Sequence, residues 1–235
     1  MNTKLISVTQ SYITEKELSA EELIVYTARV SNPDNQLNTE TSERLLKYLI
    51  KHKHWSPFEM VDVCIEIKTS RAIAAQILRH RSFSFQEFSQ RYSEVNAIEG
   101  VLLRRQAEKN RQSSSEYFNP IISNSKLYEG DFYNVTAAQL IQAYFNNGIS
   151  LYNKLLEAGV AKESARAILP LNTQTTIYMK GSLRSWLTYL NIRLDENTQL
   201  EHRQIAIEVA KVIREVFPMT TDALNNFNDN KGIFI

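Results

Sequence analysis

The sequence is poor in the features that mark several large classes of protein. It has one cysteine, six glycines and five prolines in 235 residues, and it has no run of about 18 apolar residues. A single cysteine excludes an intramolecular disulfide, and the missing apolar run predicts that no helix spans a membrane. The first residues, Met-Asn-Thr-Lys-Leu-Ile-Ser, also lack the apolar core of a secretory signal. We therefore expect a soluble, cytoplasmic protein with no membrane partner.

The sequence also has no large excess of positive or negative charge. The chain has 27 Lys and Arg against 26 Asp and Glu, a net charge of +1, so the protein as a whole is not a basic surface for a polyanion. Any anion site must be local.

Common catalytic and cofactor motifs are also absent. No Gly-x-Gly-x-x-Gly, P-loop, Gly-x-Ser-x-Gly, Cys-x-x-Cys or His-Glu-x-x-His occurs. The histidines His52, His54, His80 and His202 lack the spacing of a zinc motif, and we expect no metal. Cys64 has no cationic neighbour in sequence to lower its pKa, so we interpret it as an inert thiol, with a nucleophile as the less favoured alternative.

The chain does contain long helical patterns between short strand patterns. Hydrophobic residues make up 43%, enough for a substantial core. With no repeat or linker, we expect one domain over residues 1–235, of the α+β class, with long helices packed on a small, mostly antiparallel sheet. The periodicity predicts strands at 4–13, 61–68 and 172–179 and helices at 19–30, 41–52, 70–80, 131–158, 162–169, 182–193 and 198–217. Residues 104–115 are interpreted as a mobile excursion or a solvated helix, and the Asn/Asp-rich tail after Pro218 is uninformative.

The densest group of hydrogen-bond donors lies in residues 76–93. Arg79, His80 and Arg81 are consecutive, Arg91 follows, and serines and aromatic rings are interleaved. Guanidinium forks and hydroxyls together suit phosphate and carboxylate oxygens, which favours an anion cradle. Two alternatives stay open on the residues alone. One is a solvated basic helix end, and the other is an RNA or single-stranded DNA site over residues 79–92, where rings would stack on bases.

Longer stretches carry a family resemblance. Arg79-His80-Arg81-x-x-Ser84, continued by Arg91-Tyr92-Ser93, resembles the Arg-His-Arg-x-x-Ser signature of the flavin-dependent thymidylate synthases, the ThyX family. Segments 28–31, 51–59, 165–172 and 190–193 resemble further family segments in the same order. The resemblance covers about residues 20–215 and implies the ThyX fold.

The activity implied by this resemblance is the synthesis of dTMP from dUMP. FAD would be the redox carrier, 5,10-methylenetetrahydrofolate the carbon donor and NADPH the reductant. The implied assembly is a homotetramer that binds these small molecules and no nucleic acid. Because FAD carries the electrons, no protein nucleophile is required, and Ser89 is expected to bind dUMP, with a nucleophilic role as the minority interpretation.

The resemblance also implies site residues, position by position. Arg193 resembles the arginine that stabilises the ionised uracil ring, and it is the expected catalytic residue. The positions implied for dUMP are Gln76, Arg79, Glu87, Ser89, Gln90, Arg91, Arg166 and Arg193. The positions implied for FAD are Ser31, His54, Ser56, Glu59, Arg79, His80, Arg81, Glu87, Ser182, Leu183, Arg184 and Thr188. Gln86, Ser182 and Thr188 depart from the usual family residues but keep hydrogen-bonding groups.

Overall fold

The computed structural model of the chain describes residues 2–95, 97–123, 125–126, 131–132 and 134–227. The chain divides into two compact units. Unit 1 comprises Met1–Lys68, Ile77–Gln86 and Thr176–Ile235, and unit 2 comprises Thr69–Gln76 and Glu87–Thr175. The α+β class is confirmed, whereas a single domain over residues 1–235 stays a prediction.

The secondary structure combines eight helices and ten strands within the described residues. The helices are α1 (Ala20–Ala28), α2 (Ser42–Lys51), α3 (Arg71–Ile77), α4 (Ala137–Glu157), α5 (Lys162–Ala165), α6 (Leu183–Arg193), α7 (Leu200–Val216) and α8 (Pro218–Phe227). The strands are β1 (Asn2–Val8), β2 (Asp62–Ser70), β3 (Ser84–Glu87), β4 (Arg104–Gln106), β5 (Ser114–Tyr117), β6 (Ile121–Ile122), β7 (Ser125–Lys126), β8 (Asp131–Phe132), β9 (Val135–Thr136) and β10 (Gln174–Ser182). None of the described helices is long and apolar enough to cross a lipid bilayer.

The main sheet has four strands in the order β1-β2-β10-β3. β1 and β2 pair antiparallel, with Leu5 opposite Ile65. Alternate residues of β2, among them Val63, Ile65 and Ile67, are fully buried, which confirms the period-two pattern of this strand. In unit 1, α7 packs against β1 and α6, so the apolar faces of these elements form one core.

Helix ends follow their local signals closely. Ser19 and Glu22 form a capping box at the start of α1, with the Glu22 carboxylate accepting from the Ser19 N–H at 2.8 Å. The Ser182 hydroxyl caps α6 by accepting from the Ser185 N–H at 3.3 Å. Gly159 follows α4 with φ +84°, a left-handed conformation that favours glycine after a helix. Each of these helix ends therefore depends on residues that are neighbours in the sequence.

The polar stretch at 104–115 forms a β-hairpin in unit 2, so the expectation of an excursion or a solvated helix was wrong. β4 and β5 pair antiparallel, with Arg104 opposite Tyr117. Arg105 ion-pairs with Glu116 at 2.7 Å and stacks at 3.8 Å over the ring of Phe118. The hairpin is therefore stabilised by cross-strand pairs, which leave no apolar period in the sequence.

Two further segments have more order than the sequence indicated. Residues Ser84–Glu87 of the donor-rich stretch form β3, and the tail after Pro218 forms α8, although residues 228–235 lie outside the described part of the chain. Glu21 of α1 accepts from the backbone N–H groups of Met219 and Thr220 at 3.1 and 2.6 Å, at the start of α8. The acceptor for the first N–H groups of α8 is about 200 positions away in sequence, so no local motif predicts this helix start.

Gly181 lies where β10 leads into α6, and its neighbours leave no room for a side chain. A Cβ atom at this position would lie 2.6 Å from Cδ1 of Phe83. That ring cannot retreat easily, because it is buried and packs edge-on against Trp186 with centroids 4.8 Å apart. The Trp186 indole is itself fixed by donating to the Val63 carbonyl at 3.1 Å. Glycine is therefore required here by close approach.

We expect Gly181→Ala to lower the free energy of unfolding by about 1–3 kcal/mol, because the methyl group would overpack the core around Phe83. Gly148→Ala is the matched control. Inside α4 its Cβ would meet only Pro170 Cδ at 4.0 Å, so this change should raise stability by about 0.5–1 kcal/mol through helix propensity. Urea unfolding of both variants measures the two effects, and a Gly181→Ala protein as stable as wild type would contradict the packing argument.

Candidate active site

In unit 1, the carboxylate of Glu59 joins two elements of the predicted FAD set. Glu59 ends a 3-10 turn, Ser56–Glu59, and accepts from the Ser182 hydroxyl through Oε2. Its Oε1 accepts from Arg184 Nη1 at 3.0 Å. Since Ser182 also caps α6, its hydroxyl is engaged as donor and acceptor. Arg184 and Glu59 are the exposed members of this group and present charge to the solvent.

Other members of the FAD set lie on the surface of unit 1. Arg79 and Arg81 are exposed, and no described residue accepts a hydrogen bond from either guanidinium. His54 is exposed, with its ring 5.9 Å from that of Tyr48. Ser56 is also exposed. The Thr188 hydroxyl donates to the Arg184 carbonyl at 3.0 Å, and Ser31 lines a pocket of about 470 Å³.

Leu183 differs from the rest of the predicted set. Its side chain is fully buried, and its N–H donates to the Val61 carbonyl at 2.8 Å. In this conformation neither group faces a ligand, and its FAD role stays a prediction.

Arg193 and His80, also in unit 1, form a direct pair. Arg193 ends α6, and its Nε donates to Nε2 of His80 at 2.9 Å. No other described residue hydrogen-bonds the guanidinium, so its two terminal nitrogens are left for a ligand. The His80 ring packs edge-on against Tyr189 with centroids 4.9 Å apart. The Tyr189 hydroxyl lies 3.1 Å from Nε2 of His202, which is fully buried.

Burial keeps the titratable groups of this cluster neutral. It lowers the pKa of His80, with the Arg193 charge adding to the effect. For the same reasons, and with a contribution from His80, the pKa of His202 falls to about 3. Burial also raises the pKa of Tyr189 well above its ordinary value. A neutral His80 can accept the hydrogen bond of Arg193, as the geometry requires.

In unit 2, Glu87 of the predicted set is held by two groups. Its Oε1 accepts from the Thr175 hydroxyl at 3.0 Å and lies 3.5 Å from Nη1 of Arg71. The sequence reading missed Arg71, because an arginine at a helix start carries no motif. Arg71 is recognised only in the folded chain, where it lies beside Glu87, which is 16 positions away in sequence.

Gln90 is the predicted dUMP residue with the clearest unmet hydrogen-bonding capacity. The residue is only 5% exposed, and its Nε2 has no acceptor among the described residues. It lines a pocket of about 390 Å³ in unit 2, together with Arg71, Arg166 and Thr173. A buried amide donor without an acceptor costs about 1–3 kcal/mol, so this pocket favours a ligand rich in acceptor oxygens.

The other predicted dUMP residues of unit 2 surround two pockets. Ser89 and Arg91 line a pocket of about 470 Å³, and Arg91 ion-pairs with Glu163 at 3.2 Å. Arg166 is half-buried and donates through Nε to the Glu163 carbonyl at 3.3 Å. Gln76 is half-buried and has a protein partner.

The predicted FAD set thus lies in unit 1 except for Glu87, and the predicted dUMP set lies in unit 2 except for Arg79 and Arg193. The boundary falls inside the donor-rich segment, between Gln86 and Glu87.

Two further kinds of chemistry, metal binding and thiol chemistry, depend on the His, Cys, Asp and Glu side chains. No group of three or more His, Cys, Asp or Glu in the described ranges could hold a metal ion. Cys64 is half-buried, and burial raises the pKa of its thiol, although Lys180 lies near enough in space to oppose the shift. The thiol form dominates at neutral pH, which supports the interpretation of an inert cysteine.

Comparisons with known proteins agree on one family. The family model described as thymidylate synthase complementing protein (Thy1) matches residues 13–219. The probable flavin-dependent thymidylate synthase of Paramecium bursaria Chlorella virus 1 is 47% identical over 226 residues, covering 96% of this chain and 99% of the relative. The flavin-dependent thymidylate synthase of Synechocystis sp. is also 47% identical, covering 95% and 99%. That of Thermosipho melanesiensis is 35% identical, covering 87% and 85%.

The buried imidazole of His202 predicts a specific loss of stability in acid. Its pKa is about 3 in the folded chain against 6.5 ordinarily, so the unfolded chain binds the proton more tightly between these values. The free energy of unfolding should therefore fall as pH drops from about 6.5, by about 1.4 kcal/mol per pH unit from this residue. His202→Leu should remove that part of the slope. Urea unfolding at about pH 7, 6 and 5 measures it.

Val209→Ala provides the control, because it removes buried apolar volume from α7 but no titratable group, so the slope should stay as in wild type. An unchanged slope in His202→Leu would show that His202 titrates normally.

Proposed function

The chain belongs to the family of flavin-dependent thymidylate synthases, and from this premise we propose the co-substrates, the assembly and the residue roles of its reaction. It is an enzyme, a flavoprotein transferase of dTMP biosynthesis that uses FAD and acts on dUMP. The alternative of a nucleic-acid site over residues 79–92 has no support in the family comparisons.

The reaction proposed is the reductive methylation of dUMP to dTMP. 5,10-Methylenetetrahydrofolate donates the carbon, NADPH is the reductant, and FAD supplies the redox chemistry when bound. The proposed assembly is a homotetramer in the cytoplasm. The raised pKa of Cys64 supports a reaction without a cysteine nucleophile, because the thiolate is the reactive form.

Unit 1 offers a donor set that fits FAD. The exposed guanidinium groups of Arg79 and Arg81 have no acceptor among the described residues, and such forks suit the oxygens of a diphosphate. Arg184 is held in place by Glu59, which limits the freedom that it would lose on binding. The proposed FAD residues are those named from the resemblance: Ser31, His54, Ser56, Glu59, Arg79, His80, Arg81, Glu87, Ser182, Leu183, Arg184 and Thr188.

The observation that carries the dUMP assignment is the Gln90 amide in unit 2. A buried donor with no acceptor among the described residues, in a pocket that Arg166 also lines, fits a nucleotide with carbonyl and phosphate oxygens. Ser89 and Arg91 line the neighbouring pocket of the same unit. The proposed dUMP residues are Gln76, Arg79, Glu87, Ser89, Gln90, Arg91, Arg166 and Arg193.

Arg193 is the proposed catalytic residue. Its Nε is occupied by His80, which fixes the plane of the guanidinium and leaves Nη1 and Nη2 for the substrate. A guanidinium held in this way stabilises negative charge on the uracil ring without reorganising.

Purified protein should be yellow, should release FAD on denaturation, and should form dTMP from dUMP only when both NADPH and 5,10-methylenetetrahydrofolate are present. The absorption spectrum and product chromatography, with each co-substrate omitted in turn, measure this. A colourless protein that FAD cannot reconstitute, or turnover without the folate, would overturn the proposal.

Arg193→Ala should lower kcat/KM for dUMP by about 10- to 150-fold, the effect of losing a charge-assisted contact of about 1.5–3 kcal/mol. Arg214→Ala is the matched control, an exposed arginine on α7 with no described hydrogen bond. Steady-state kinetics and FAD content are measured for both. If Arg193→Ala instead lowers thermal stability and FAD content while the FAD-loaded fraction keeps a normal kcat/KM, the role of Arg193 is structural.

A further inference from the structure

We propose that His202 and Tyr189 are positioning residues for Arg193, acting through the imidazole ring of His80. Neither belongs to the positions implied for dUMP or FAD. The inference rests on the proposed contact between Arg193 and dUMP. It gives a role to two buried polar residues that do not take part in the reaction itself.

The pair is a hydrogen-bonded polar contact inside the core of unit 1. His202 on α7 is fully buried, Tyr189 on α6 is 1% exposed, and the Tyr189 hydroxyl lies 3.1 Å from His202 Nε2. Burying an imidazole and a phenol is costly unless they are hydrogen-bonded, whereas Leu and Phe would fill the space without polar atoms. A satisfied polar pair instead fixes one arrangement of the two helices, because a shifted packing would break the bond.

Tyr189 transmits that arrangement to His80. The two rings meet edge-on, with centroids 4.9 Å apart and an interplanar angle of 74°. Phe83 also meets the His80 ring edge-on, at 6.4 Å and 87°. Offset and edge-on aromatic contacts have preferred geometry, so the plane of the imidazole follows the position of the Tyr189 ring.

His80 in turn sets the guanidinium. Arg193 Nε donates to His80 Nε2 at 2.9 Å, which places the remaining proton of the neutral imidazole on Nδ1. Tyr189 and Arg193 are four positions apart on α6, so the ring contact and the guanidinium share one stretch of helix. Loss of the His202–Tyr189 bond would remove one restraint on the Tyr189 ring, and through that ring on the imidazole and on the direction of Nη1 and Nη2.

The test measures the dissociation constant of dUMP from the FAD-loaded enzyme by calorimetry. We expect His202→Leu and Tyr189→Phe each to raise it about 3- to 30-fold with FAD content unchanged, the size of a lost hydrogen bond that orients a ligand group. The double variant should bind dUMP no more weakly than either single variant, because both substitutions remove the same hydrogen bond. His202→Gln, which can still bond the Tyr189 hydroxyl, should restore part of the affinity.

The decisive comparison is made in an Arg193→Ala background. If His202 acts through Arg193, His202→Leu should there have no further effect on dUMP binding. Val209→Ala, which removes buried apolar volume from α7 and no hydrogen bond, is the matched control and should lower stability while dUMP binding stays normal.

The outcomes separate the two hypotheses. Normal dUMP binding by Arg193→Ala would overturn the proposed contact itself. Weakened binding by Arg193→Ala with normal binding by both Tyr189→Phe and His202→Leu would overturn only the positioning role. The same weakening by His202→Leu with and without Arg193 would also overturn it, since the effect would then bypass the arginine. If His202→Leu does not fold, Tyr189→Phe keeps the full ring and decides the question alone.

Discussion

A guanidinium can donate to an imidazole nitrogen only while the imidazole is neutral. The bond from Arg193 to His80 therefore depends on everything that keeps a proton off Nε2. Burial among Phe83, Tyr189 and His202 does so, and the arginine's own charge reinforces it. The aromatic core of unit 1 thus has an electrostatic effect as well as a packing role. By excluding water it disfavours the protonated imidazole, so His80 stays a hydrogen-bond acceptor.

The same core constrains the backbone that carries the site. Phe83 lies three residues after His80 and packs so closely on Gly181 that only glycine fits there. Directly after Gly181 come Ser182, which caps α6 and donates to Glu59, and Arg184, which pairs with the same carboxylate. The proposed FAD contacts are therefore set by a close approach of two chain segments, and the side chains that would bind phosphate depend on that approach for their position.

Regular periodicity made most of the fold predictable, and its absence explains the errors. β2, α6 and α7 alternate or repeat because one face of each is buried, so their patterns are visible in sequence. The hairpin of β4 and β5 is held by pairs such as Arg105–Glu116 across its strands, and α8 is capped by Glu21 from the other end of the chain. Such long-range partners leave no local period, and both elements were missed.

By itself, the sequence determined the α+β class, the helix caps, the family resemblance and the set of donor side chains, because these depend on local chemistry and spacing. It did not show that the predicted FAD and dUMP residues fall largely in different compact units, with the change between Gln86 and Glu87. Nor did it show the Arg71–Glu87 pair, the His202–Tyr189 bond or the buried Gln90 amide, which has no acceptor in the described part of the chain. Only the tertiary structure decides these, since burial and pairing depend on residues far apart in the chain, and burial determines which donors are satisfied and which groups stay neutral.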